Sequence, residues 1–258
     1  MIDVKEANVL YLDGKYTLAA DMYLKGAEEG DAECALNYAT CLYLGEGRER
    51  DPSLARSFFT YATEKYGEAC YNLAVMYLEG VGCKKDYRLA LEYMESAAER
   101  GMIEAEVYLG VANVMGSLFI PDIRLISRIP YHRPIMREAM PLIEGEVSFD
   151  ECDSEGRYPT VRSDLHDAFH YFKSAAGHPS DYVEDILPRA KYLYARCFLD
   201  GLGTDFDRDK ANRLMLIAAA EGSGEALTYL ETDAPYVLAN IKDPVLLARI
   251  REVKGLLN

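Results

Sequence analysis

No stretch of this 258-residue chain stays apolar over anything near the roughly 20 residues that a membrane-spanning helix requires. Its opening, Met1-Ile2-Asp3-Val4-Lys5-Glu6, has neither the basic nor the apolar region of a secretory signal. Secretion and membrane insertion are not expected, and a cytoplasmic protein is. Positive charge is also scarce: 28 Lys and Arg stand against 43 Asp and Glu, for a net charge of -15. Nucleic acid is a poor partner for such a chain, because phosphates must be met by clustered Lys and Arg. Catalytic motifs are missing too. Ser-x-x-Lys occurs nowhere, and the Gly-x-Gly turns lack the preceding strand and the lysine of a phosphate loop. No enzymatic activity, cofactor or metal is expected.

What the chain does contain is repetition. Ala32 to Gly67, Glu68 to Met102 and Pro188 to Gly224 each carry a helix, a glycine turn and a second helix. The turns read Gly45-Glu46-Gly47, Gly80-Val81-Gly82 and Gly201-Leu202-Gly203. Four residues past the second Gly comes Asp51, Asp86 or Asp207, and four further on Ala55, Ala90 or Ala211. The first Gly closes a helix in the left-handed conformation, the second lets the chain reverse, and the Asp caps the next helix. Ala62, Ala97 and Ala218 join the earlier alanines as small residues where helices approach closely. Units of this length, unable to bury an apolar face alone, stack into a solenoid.

Two degraded copies extend the array. Gly14-Lys15-Tyr16 stands in for the glycine turn of an N-terminal capping repeat, and Glu104 to Gly116 opens a fourth repeat whose second helix resumes only near Leu165. The expected organisation is one domain, 1–258, with repeats near 3–31, 32–67, 68–102, 103–187 and 188–224, an insertion at 117–164, and a C-terminal cap over 225–258.

Glu68 to Met102 resembles the Sel-1-like repeat, a longer-turned relative of the tetratricopeptide repeat. The resemblance rests on Asn72-Leu73-Ala74, Tyr77, Gly80-x-Gly82, Asp86, Ala90, Tyr93, Ala97-Ala98 and Gly101. It implies an all-α fold, a right-handed superhelical α/α solenoid of about five helix pairs, serving as a protein-interaction adaptor with the first helix of each pair lining a concave face. Ala74 and Ala39 stand where the family usually has Gly. Some secreted relatives bridge the two helices of a repeat with a cysteine in the ending of the second helix, where this chain has Thr63, Ala98, Ala176 and Ala219. Cys34, Cys41, Cys70 and Cys197, all on first helices, therefore read as small packing residues in a reducing compartment.

Other chemical-looking groups have plainer roles. His166 and His170 are spaced like the ligands of a zinc-protease helix, but their counterparts in other repeats are Ser53, Arg88 and Asp209, and Ser57, Glu92 and Arg213, which places both on a polar, solvated face. Asp205-x-Asp207-x-Asp209 imitates a calcium loop but has Lys210 at the glycine position and Leu216 at the bidentate Glu position. Asn37 and Asn72 sit where some tetratricopeptide domains hold a peptide carboxylate, without the accompanying basic residues.

Two surfaces are candidates for a protein or peptide partner. Glu33, Glu68 and Glu104 form an acidic row, one per repeat, beside Leu36, Tyr71, Asn72, Val75, Val107 and Val111. This face suits a segment mixing basic and apolar residues. Residues 117–143 of the insertion instead offer Arg124, Arg128, Arg133 and Arg137 among apolar residues and four prolines. The competing reading is an enzyme or metal-binding protein with a site between the insertion and repeat four, drawing on His132, His166, His170 and Cys152.

Overall fold

The computed structural model describes residues 3–116, 164–179 and 186–257. Every regular element among them is a helix: α1 (Val4–Leu12), α2 (Tyr16–Glu28), α3 (Ala32–Leu44), α4 (Pro52–Ala62), α5 (Gly67–Glu79), α6 (Tyr87–Glu99), α7 (Ile103–Met115), α8 (Leu165–Ala176), α9 (Ile186–Asp200), α10 (Arg208–Ala220), α11 (Gly224–Thr232), α12 (Pro235–Ala239) and α13 (Pro244–Leu257).

Local chemistry sets the boundaries as expected. The Asp51, Asp86 and Asp207 carboxylates each accept from the backbone N–H three residues on, at 2.9 Å. Asp31 caps α3 in the same way, and Asp164 caps α8. Gly45 and Gly80 close α3 and α5 in the left-handed region, their N–H groups donating to Cys41 and Met76. A further bond recurs in each long-turned repeat: the capping Asp's own N–H donates back to the first helix, Asp51 to the Leu42 carbonyl, Asp86 to Tyr77 and Asp207 to Phe198, at 2.9 to 3.0 Å. The turn is thus closed at both ends by backbone bonds.

The chain divides into two compact units, with described residues up to Ala105 in the first and Glu106 onwards in the second. In the first, helices α1 to α6 each contact the next in sequence. Its interior holds Tyr11, Tyr23, Leu36, Tyr43, Phe59, Leu73, Met76 and Met94, all wholly shielded, with Ala55, Ala62, Ala90 and Ala97 where helices come closest. In the second, α8 packs on α9, α9 on α10 and α10 on α11, and α13 turns back onto α10 and α11, burying Ile250. α9 begins at Ile186, two residues before the Pro188 boundary read from the repeat spacing. Pro188 is tolerated because the first N–H groups of a helix need no intrahelical partner.

The second glycine of each turn has more than a local role. A Cβ on Gly47 would lie 2.2 Å from the Tyr16 carbonyl oxygen, one on Gly82 would lie 2.5 Å from that of Pro52, and one on Gly203 would lie 1.9 Å from that of Leu165. These carbonyls belong to the first residues of α2, α4 and α8. The turn of one repeat therefore rests directly on the backbone of the preceding repeat's second helix.

Glu79, the last residue of α5, is partly buried, and burial pushes its carboxyl up to about 7 from an ordinary 4.5, with Lys85 pulling the other way. A carboxyl with a raised folded-state pKa binds more protons folded than unfolded, so stability falls as pH rises from about 4.5 through 7. Glu79→Gln removes that loss. The variant is expected to be more stable than wild type at pH 8 by on the order of 1 kcal/mol, after allowance for solvent screening, and to differ less at pH 5. Urea unfolding at the two pH values checks this, and an unchanged difference between them counts against it.

Candidate functional site

The proposed acidic row occupies equivalent positions, Glu33 on α3, Glu68 on α5 and Glu104 on α7, all partly exposed. The residues read beside them are mostly interior. Leu36, Asn72 and Val75 are wholly buried, and Tyr71 and Val107 are only 5% and 6% exposed. These side chains lie in the interior, whereas the sequence reads them as lining a concave face. The cause is that a repeat's first helix is covered on most of its circumference, as α3 and α5 show with ten or more buried residues each. Val111 stays partly exposed and packs beside a cluster of Ala168, Phe172 and Cys197. Of the named set, a partner can reach chiefly the three glutamates and Val111. Arg124, Arg128, Arg133 and Arg137 lie outside the described residues, as do His132 and Cys152.

Asn37 and Asn72 are wholly buried. Asn37 Nδ2 donates to Asn8 Oδ1 at 3.2 Å, and the same oxygen accepts the Tyr23 hydroxyl at 2.6 Å, so α1, α2 and α3 meet in one buried polar contact. Cys34, Cys41, Cys70, Cys83 and Cys197 are free thiols. Burial raises the Cys34, Cys41 and Cys197 thiols to about 12, which makes them inert at neutral pH.

In the second unit an open cleft of about 490 Å³ lies at the end of α8, lined by His170, Lys173, Ser174, Gly177, His178 and Pro179. Beside it the Glu106 carboxylate, 5% exposed, accepts from Ser174 Oγ at 2.7 Å and lies 3.1 Å from His178 Nε2. The carboxylate bridges serine and histidine, so the histidine does not contact the serine as a nucleophile's base must. Repeat register explains the arrangement instead. Glu106 and His178 align with Lys191 and Glu221, and there the Lys191 ammonium donates to a Glu221 carboxylate oxygen at 2.7 Å. The same two positions thus brace a repeat's first helix to the end of its second, with the carboxylate and its partner exchanged. Sequence reading missed this pair. The signal was a charged Glu106 at a position occupied by Ala35 and Cys70 elsewhere.

His166 and His170 lie on the exposed face of α8. Their Nε2 atoms are 3.0 Å apart and the rings meet edge to face, with centroids at 4.4 Å. Among the described residues, no group of three or more His, Cys, Asp or Glu is placed to hold a metal ion. No helix among them is long and apolar enough to cross a membrane.

Comparison with known proteins agrees with this architecture. The family model of the Sel1 repeat matches residues 32–65, 67–102, 153–178 and 188–223. Over 101 residues the chain is 31% identical to protein sel-1 homolog 2 of Homo sapiens, an alignment covering 38% of this chain and 15% of that protein. The Mus musculus counterpart is 29% identical over 101 residues, with the same coverage of each. The aligned stretch thus spans about a seventh of those relatives. Among solved structures, c5321, a protective antigen of uropathogenic Escherichia coli strains displaying an SLR fold, superposes with a TM-score of 0.65 at 18% identity, covering 98% of this chain and 45% of that one. A Sel1 repeat protein from Oxalobacter formigenes superposes with a TM-score of 0.59 at 20% identity, covering 99% and 84%. At these identities the likeness is one of fold.

Proposed function

This chain belongs to the Sel1 repeat family, and from that premise we propose that it is a non-enzymatic scaffold that binds a protein or peptide, in a cytoplasmic setting. The carrying observation is the equivalent placement of Glu33, Glu68 and Glu104 on successive first helices, each partly exposed. Such a row presents negative charge at the repeat spacing and suits a partner segment mixing basic and apolar residues. Carboxylates at an accessible rim chiefly steer encounter and exclude acidic competitors. The free, inert thiols are in keeping with a reducing compartment.

Co-purification from the native host, followed by titration of the captured partner, tests the reading. Salt is expected to weaken association mainly through a lower on-rate, and the Glu33→Ala/Glu68→Ala/Glu104→Ala variant is expected to lose most of that salt dependence. A strongly acidic partner, or one that binds the triple variant with unchanged rates, overturns the groove. Binding abolished by deletion of residues 119–162 but insensitive to the three glutamates would move the site to the insertion. Tyr71→Ala is uninformative about the partner, since Tyr71 is interior and its truncation acts on stability first.

A further inference from the structure

We propose that His166 and His170 form a two-point chelate for a borderline transition-metal dication of the zinc, copper or nickel class, with water completing its coordination. Residues four apart on a helix face the same way, and here that brings Nε2 of His166 and Nε2 of His170 to 3.0 Å. Two nitrogens each bound about 2.0–2.1 Å from one ion stand about 2.9 Å apart at a right angle and about 3.4 Å apart at the tetrahedral angle. The observed separation falls inside that range, so both nitrogens are within reach of one ion.

The positive end of the α8 dipole opposes a cation here, and two carboxylates offset it. Asp164, which caps α8 through the His166 and Asp167 backbone N–H groups, and Asp167 in the first turn both carry carboxylates at this end of the helix. The chain as a whole has a net charge of -15. Both imidazoles are exposed, so an ion can enter and keep its waters. Neutral imidazole is a ligand suited to zinc, copper and nickel and a poor one for magnesium or calcium. The same separation also suits a hydrogen bond in which one ring donates Nε2–H to the other, and the tautomers decide between the two. With the proton on Nδ1 of both rings, both Nε2 lone pairs are available to an ion. His170 also lines the cleft at the end of α8, so an ion held here borders the surface that Lys173 and His178 share.

The test is a zinc titration by calorimetry of the full chain, free of any tag and first stripped with chelator. One equivalent per chain is expected. Loss of an outer-shell partner already weakens metal affinity by about 10- to 100-fold, so removing one of two ligands, as in His166→Ala or His170→Ala, is expected to weaken it at least tenfold. His178→Ala is expected to leave it unchanged. Both single variants change exposed residues, and circular dichroism verifies that they remain folded. Absence of zinc binding by wild type overturns the proposal, as does wild-type affinity in His166→Ala or His170→Ala.

Discussion

Gly82→Ala is expected to destabilise the first unit by about 2–5 kcal/mol, whereas Gly14→Ala is expected to cost only about 1–2. Both glycines have positive φ, +71° and +75°, so both substitutions carry the strain of a left-handed alanine. They differ in surroundings. Nothing lies within 4 Å of a Cβ at Gly14, while one at Gly82 would lie 2.5 Å from the Pro52 carbonyl carbon and oxygen and 2.9 Å from its Cβ. Those atoms belong to the start of α4 and cannot yield like the end of a flexible side chain. The repeats must separate there, or the turn must distort. Chemical denaturation of both variants checks the difference, and equal losses would mean that φ alone matters and the contact between repeats does not.

Glu106→Lys is expected to cost about 3–5 kcal/mol, because it leaves a buried cation facing His178 where a carboxylate was. Adding His178→Glu is expected to restore most of that loss. The double variant reproduces the Lys191–Glu221 pair found at the same positions one repeat later, which fits its site with 2.7 Å between donor and acceptor. Glu106→Cys, copying Cys70, is expected to fall between the two, since it removes the charge along with its Ser174 and His178 contacts. Melting temperatures of the three variants decide it. A double variant no better than Glu106→Lys alone would show that the brace depends on more than the pair itself.

The helices were legible because their ends are written within a few residues of one another. Asp86 caps α6 through a bond to Leu89, three residues away, and Gly80 closes α5 through a bond to Met76, four residues away. The alanine positions were legible for a related reason: recurrence at a fixed spacing marks positions that face the same kind of neighbour, and all six, Ala55, Ala62, Ala90, Ala97, Ala211 and Ala218, are buried. The binding face was less so. Leu36, Tyr71 and Val75 have the apolar character expected of a groove floor, and equally that of a helix seam, and a single sequence does not separate the two.

Sequence by itself determined that this chain is a stack of helix pairs, because caps, glycine turns and small-residue spacing act locally and repeat. Tertiary structure decided which side chains a partner can reach, why the second glycine of each turn admits no side chain, and why a charged residue sits at Glu106. Each of those depends on atoms far away in the chain: Gly82 on Pro52, Gly203 on Leu165, and Glu106 on His178, 72 residues on. The turn contacts recur about one repeat apart, yet spacing alone does not say which atoms meet, and the insertion within repeat four carries Glu106 and His178 to 72 residues where the equivalent Lys191 and Glu221 are 30 apart.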